Sequence, residues 1–389
     1  MRNGAKKREV FFHYSCVSLF SLWIFLPMPV YAVGEIVAWG DNYYGQCDLP
    51  SPNTGFTAIA ADHAHSLGLK TDGSIVAWGW NEFGQCSVPS PNTDFTAIAA
   101  GYYHSLGLKT DGSIVAWGDN YYGQCDLPSP NTGFTAIAAG EAHSLGLKTD
   151  GSIVAWGDNT CGACVVPPPN TNFTAIAAGA CFSLGLKTDG SIVAWGFNMY
   201  GECDVPSPNT DFTAIAAGEG YSLGLKADGS IMAWGDNYYG VCDVPSPNTG
   251  FTAIAACQVH SLGLKTDGSI VAWGFDGYGA CDVPSPNTNF TAIAAGGGHS
   301  LGLKGEQGEP NCLYYLTGDF NDDCKVDFCD FAILARAWLS NDSDPNWNPT
   351  CDISEPEDSI INWKDIAAFC ENWLIDCNTN PSCPACIPK

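Results

Sequence analysis

The stretch "SLGLKTDGSIVAWG" at Ser66–Gly79 recurs unchanged at 105–118, 144–157, 183–196 and 261–274, and with two changes, Ala227 and Met232, at 222–235. It reads as two extended runs joined by Asp-Gly, a pair suited to a two-residue hairpin turn in which both positions take positive φ. Around it the chain keeps a strict period. Trp39, Trp78, Trp117, Trp156, Trp195, Trp234 and Trp273 stand 39 residues apart, and "FTAIAA" begins seven times, at Phe56, Phe95, Phe134, Phe173, Phe212, Phe251 and Phe290. A fixed period near 40 built of short strands predicts a propeller with one four-stranded blade per period. Each blade reads as strand A (FTAIAA), B (HSLGLK), C (SIVAWG) and a short D around CDVP. Alanine suits the innermost strand, where blades converge. "VPSPNT" carries prolines and reads as a connection.

The two ends of the array are complementary. The first copy starts at strand C, "GEIVAWG", and the last stops at strand B, "HSLGLKG". Residues 34–50 would then complete the blade whose A and B strands come from 290–304, removing open sheet edges. The fold class expected over 33–304 is an all-β seven-bladed propeller.

Residues 1–32 differ from the rest. A basic start (Arg2, Lys6, Lys7, Arg8), the apolar "CVSLFSLWIFLPMPV" and the small residue Ala32 read as a secretory signal peptide. The chain is expected to be secreted or cell-surface associated, extracellular or periplasmic, with no membrane span after cleavage. The whole chain carries 15 basic and 41 acidic residues. Cleavage removes four basic groups and Glu9, leaving a net charge of −29. Such a chain repels phosphate backbones, which argues against a nucleic-acid partner.

"GSIVAWGDNYYGQC" and "IAAGYYHSLGLKTDG" resemble the repeat of the regulator of chromosome condensation family, in the short bacterial form also found in the beta-lactamase inhibitory protein. The resemblance covers 34–304 and implies a seven-bladed propeller. Cys47 and its six equivalents depart from the eukaryotic pattern. The nuclear exchange-factor and chromatin roles of the eukaryotic protein are not implied for an exported, acidic chain.

The copies differ mainly in two loops, A–B and C–D, which an up-down blade places on one face. The C–D loops read DNYYGQ, WNEFGQ, DNYYGQ, DNTCGA, FNMYGE, DNYYGV and FDGYGA; the A–B loops read DHAH, GYYH, GEAH, GACF, GEGY, CQVH and GGGH. Variation confined to loops on a rigid frame is how scaffolds carry recognition, and aromatic rings are favoured anchors. The candidate partner-binding residues are Tyr43, Tyr44, Trp80, Glu82, Phe83, Tyr102, Tyr103, Tyr121, Tyr122, Glu141, Phe182, Phe197, Tyr200, Glu219, Tyr221, Tyr238, Tyr239, Phe275 and Tyr278. Trp80, Tyr102 and Tyr103 break their columns and are expected to be available for binding. The loops contain neither Lys nor Arg. On the other face the text barely varies, and the residue after "PNT" is Gly, Asp or Asn in every copy, all tolerant of left-handed backbone.

His65, His104, His143, His260 and His299 recur near the axis. A ring of imidazoles could hold a metal, but Phe182 and Tyr221 interrupt it and the histidines read as structural. Cys47, Cys86, Cys125, Cys164, Cys203, Cys242 and Cys281 also recur. Equivalent points on a seven-fold ring of radius ~15 Å lie roughly 13 Å apart, beyond the ~7 Å Cα limit of a disulfide. They are expected to be buried thiols acting as small apolar groups. Cys161 and Cys181 fall in variable loops of consecutive blades and form a candidate disulfide. No nucleophile, base and orienting acid occur together, so no enzyme is expected.

"GEQGEPN" (305–311) reads as a linker. In "DFNDDCKVDFCD", Asp319, Asn321, Asp323, Asp327 and Asp330 fall at positions 1, 3, 5, 9 and 12, with the Lys325 carbonyl at 7, the spacing of a Ca²⁺ loop. Cys324 stands where such loops place glycine. A second copy offers Asp352, Ser354, Asp358, Ile360 (carbonyl), Asn362 and Asp365, two residues too long in its early part. Half-loops each followed by one helix resemble a dockerin, here over 312–377, which implies a cohesin-like or surface partner. Residues 378–389 form a Cys-containing tail. The function expected is recognition of a protein ligand by the loop face, with the tail docking or anchoring the molecule. A glycan-binding or enzyme-inhibitor-like role stays open beside it.

Overall fold

The computed structural model describes residues 34–305. The signal, linker, dockerin-like and tail assignments, including all twelve Ca²⁺-ligand candidates, lie outside the described residues. Among the described residues every regular element is a strand, and each repeat folds alike. The A strands are Phe56–Asp62, Phe95–Ala100, Phe134–Ala139, Phe173–Ala178, Phe212–Ala217, Phe251–Ala256 and Phe290–Ala295. The B strands are His65–Lys70, His104–Lys109, His143–Lys148, Phe182–Lys187, Tyr221–Lys226, His260–Lys265 and His299–Gly305. The C strands are Gly34–Gly40, Ile75–Gly79, Ile114–Gly118, Ile153–Gly157, Ile192–Gly196, Ile231–Gly235 and Ile270–Gly274.

Within a unit A, B and C pair antiparallel in order. The first C strand pairs along its whole length with the last B strand, from Gly34↔Gly305 to Gly40↔His299. Each B strand is buried almost throughout, because its unit packs between two others. Its glycine is steric in origin. At Gly107 a Cβ would lie 2.5 Å from Cε1 of Phe95. Leu106, Leu108 and Ile114 of one unit pack with Phe134 and Trp156 of the next. The same set recurs between all units, including Ile36, Leu301 and Leu303 against Phe56 and Trp78. Burial of each such side chain is worth roughly 1.5–3 kcal/mol, so a unit is stable only beside its neighbours. One alanine from each of the seven A strands, Ala61 to Ala295, lines a common cavity of about 170 Å³.

Two local expectations need correction. The Asp-Gly hairpin is not a two-residue turn: only the glycine has positive φ (Gly73, 76°). Lys70 N and Gly73 N bond Ser74 O and Lys70 O, and the Asp72 carboxylate accepts from Ser74 N at 2.9 Å. That is a longer turn closed by a glycine bulge. Strand D is also absent among the described residues. Pro50 and Pro52 have no N–H to offer a ladder. A side chain takes the ladder's place instead: Asn53 Oδ1 accepts from Ile36 N at 3.0 Å, and its Nδ2 donates to Ile36 O at 2.7 Å. Asn131 does the same for Ile114, as do the remaining equivalents. The residue after "PNT" is left-handed in every unit, from Gly55 (75°) to Asn289 (63°).

Candidate functional site: the variable loop face

Each C–D loop is tied at its first residue to the A–B loop of its own unit, as by Asp119 N to Tyr103 O and Phe197 N to Cys181 O. Both loop sets therefore lie on one side. The loop is stiffened from within. Asn42 Oδ1 accepts from Cys47 N at 2.8 Å, and Asn42 Nδ2 donates to Asp48 Oδ1 at 2.8 Å. With its base fixed, the tip projects: Tyr43, Tyr121 and Tyr238 are 82, 83 and 84% exposed, while the tyrosine that follows each is about half covered. Glu82, Phe83, Glu141, Tyr200, Glu219, Phe275 and Tyr278 are exposed and Phe197 is half-buried.

Phe182 and Tyr221 do not belong to this surface. They occupy the histidine column and are 0 and 1% exposed. Tyr221 Oη bonds Ser261 Oγ at 2.8 Å and donates to His260 O at 2.7 Å. The histidines likewise bridge units. His65 Nε2 meets Ser105 Oγ at 3.0 Å in the next unit, and His299 Nε2 meets Ser66 Oγ at 2.9 Å. Burial holds the pKa of His65, His104 and His299 down to about 3. Among the described residues no group of three or more His, Cys, Asp or Glu could hold a metal.

Trp80, Tyr102 and Tyr103 are half-buried rather than free. They converge on His63, a histidine outside the recurrent column. His63 stacks on Tyr102 at 4.0 Å and Trp80 on Tyr44 at 5.3 Å, while Tyr103 meets Trp80 at 5.2 Å and Phe83 at 4.8 Å. The result is one continuous aromatic patch over three units. Its base is strained. His63 has φ 29° in a tight turn that puts Asp62 where five units have glycine. Burial and the nearby Glu141 and Glu219 raise the Asp62 carboxyl to about 7, against the opposing bond from His63 N.

The recurrent cysteines differ from expectation. They are only partly buried, and each sulfur faces a backbone carbonyl in the loop, Cys47 Sγ to Asp41 O at 3.3 Å and Cys125 Sγ to Asp119 O at 3.2 Å. Burial, with neighbouring aspartates, pushes both thiols up to about 12. They hold the loop as weak donors. Cys161 and Cys181 are free thiols lying side by side.

All seven repeat lysines lie on the opposite face. Each covers its own A-strand phenylalanine, as Lys148 does Phe134 at 3.6 Å, and donates to carbonyls of the proline-rich connection, as Lys109 does to Thr93 O at 2.6 Å. The loop face is left acidic and aromatic.

These features define a repeat propeller, and comparison with known proteins agrees on the fold. Residues 56–85, 95–124, 134–163, 173–202 and 212–241 match the Regulator of chromosome condensation (RCC1) repeat. The chain therefore carries five recognisable RCC1 repeats within an RCC1-like propeller architecture. Prp20p from Saccharomyces cerevisiae is similar in structure, with TM-score 0.61 and 19% identity over 72% of this chain and 93% of that one. Human WBSCR16 has TM-score 0.56 and 16% identity, over 70 and 98%. The ectodomain of the Physcomitrella patens receptor kinase CR4 has TM-score 0.53 and 22% identity, over 61 and 68%. At such identities the likeness speaks for the fold alone. No curated protein matches the chain in sequence. Prp20p is described with its binding properties to Gsp1p and histones. Among the described residues no helix is long and apolar enough to cross a membrane.

Proposed function

We propose that this chain is an exported, non-enzymatic recognition protein: a closed seven-bladed propeller that holds a protein partner on its loop face. The dockerin-like tail, with Ca²⁺ in its first loop, docks or anchors it. The single observation that carries the reading is the segregation of charge and aromatic area. The repeat lysines are tied down on one face, while the other presents exposed tyrosines among carboxylates. A partner with a basic patch complements such a surface. Closure is supported by the pairing of Gly34–Gly40 with His299–Gly305 and by the His299–Ser66 contact.

The test is capture of proteins from the producing cell's envelope and medium. Tyr43→Ser/Tyr121→Ser/Tyr238→Ser should weaken capture at least ~10-fold, about 1.4 kcal/mol, without lowering Tm. Asp111→Ala on the opposite face should leave it intact. Capture should also fall steeply with added salt. Salt-indifferent retention on a sugar matrix, lost in the same triple variant, would favour the glycan reading. A triple variant that captures like the wild type would remove the loop face from consideration.

A further inference from the structure

Glu202 has a side chain that folding does not require. In the equivalent place Gln46 accepts from Tyr44 N through Oε1 and donates from Nε2 to Asp41 Oδ2 at 3.0 Å; Gln124 repeats the pattern with Asp119. Three other units place Ala163, Val241 and Ala280 there. What every unit needs from this position is the carbonyl, which for Glu202 accepts from Trp234 Nε1 and Ser222 Oγ. Glu202 is 0% exposed, its Oε2 accepts from Tyr200 N at 2.8 Å, and its Oε1 has no partner. The loop begins with Phe197 instead of aspartate. A buried oxygen of a carboxylate without a donor is costly.

Glu202 is among the residues that line the largest groove described on the loop face, about 380 Å³. Its walls include Phe197, Tyr200 and Tyr239, with Glu219 and Asp236 beside them. Gly220 keeps it open. A Cβ there would meet Tyr200 Cδ2 at 3.5 Å and Asp236 Cβ at 3.6 Å, and the next unit carries Val259 in its place. Among the described residues the loop face contains no Lys or Arg and Oε1 has no donor, which leaves that oxygen open to one from a partner.

Resting on the reading of this face as a partner surface, we propose that the groove is the socket for an arginine side chain of the protein partner. A guanidinium is planar and weakly hydrated. It stacks on aromatic faces and donates two parallel bonds to a carboxylate, whereas an ammonium is a strongly hydrated point charge.

The probe is N-acetyl-arginine methylamide, its binding to the full chain followed by saturation-transfer NMR. The controls are the neutral citrulline analogue and capped lysine. Glu202→Gln copies three other units and should keep its Tm; Gly220→Val copies the next unit and should fill the groove. Both should weaken the arginine probe at least ~10-fold, and the citrulline analogue should bind at least ~10-fold more weakly than arginine. Equal binding of arginine and citrulline, or of arginine to wild type and Glu202→Gln, would overturn the socket. If partner capture is lost in the triple tyrosine variant but unchanged in Glu202→Gln, the face stands and the socket falls. Capture indifferent to both would remove both.

Discussion

Five buried histidines give the frame a pH dependence that can be signed. Burial lowers His143 and His260 to about 4 and the other three to about 3, from an ordinary 6.5. Between pH 6.5 and about 3 the unfolded chain takes up these protons while the folded one does not. Stability is therefore complete above 6.5 and falls as pH drops through that window. Asp62, raised to about 7, works the other way over pH 7 to 3.8, as does Glu141, also raised by burial, while His63 is lowered like the five. Unfolding measured from pH 7.5 to 4.5 should show a falling Tm. His143→Phe, which copies Phe182, should flatten the slope by one histidine's share, at most ~1.4 kcal/mol per pH unit. An unchanged slope would mean the imidazoles are not held neutral. The histidine column is legible in the sequence. The burial of Phe182 and Tyr221 is legible too, once the column is given more weight than the loop in which they sit.

At the level of the strand, the outer edge of each C strand is served by an asparagine side chain from a proline-rich connection. Asn131 supplies an acceptor and a donor to Ile114, at 2.9 and 2.8 Å. Asn131→Ala leaves both backbone groups unpaired and should cost about 1–3 kcal/mol in urea unfolding. Asn131→Asp keeps the acceptor for Ile114 N but sets a carboxylate oxygen against Ile114 O, and should not restore wild-type stability. Equal stability of Asn131→Ala and wild type would mean water serves the edge as well. The prolines announce the connection, but composition cannot reveal that an amide side chain replaces a fourth strand. For the same reason the Asp-Gly turn is located correctly from sequence and its type is not. Hairpin twist suggests the shorter form, while the Asp72–Ser74 bonds select the longer.

At the scale of the molecule, the first strand is the join. Gly34–Gly40 covers the free edge of His299–Gly305, and Trp39 Nε1 donates to Ala280 O at 2.8 Å. A chain lacking residues 34–40 exposes that edge and loses a Trp and an Ile from two adjoining cores. It should unfold at lower temperature, in a broader transition, and associate with rising concentration. Light scattering and thermal melts indistinguishable from those of the full chain would show the join to be unimportant.

The sequence by itself determined the repeating unit, its hairpins and the side on which the variable loops emerge, because these follow from a 39-residue period and from short-range strand and turn chemistry. Only the tertiary structure decided which loop residues are surface and which are core. It drew Trp80, Tyr102 and Tyr103 together around His63, and it left Glu202 with an unmatched oxygen. Those outcomes depend on neighbours about 40 residues away in the next unit, and on the absence of an aspartate at position 197, where Phe197 stands. Periodicity alone carries no such information, since a copy reads the same whether its odd residue turns inward or out.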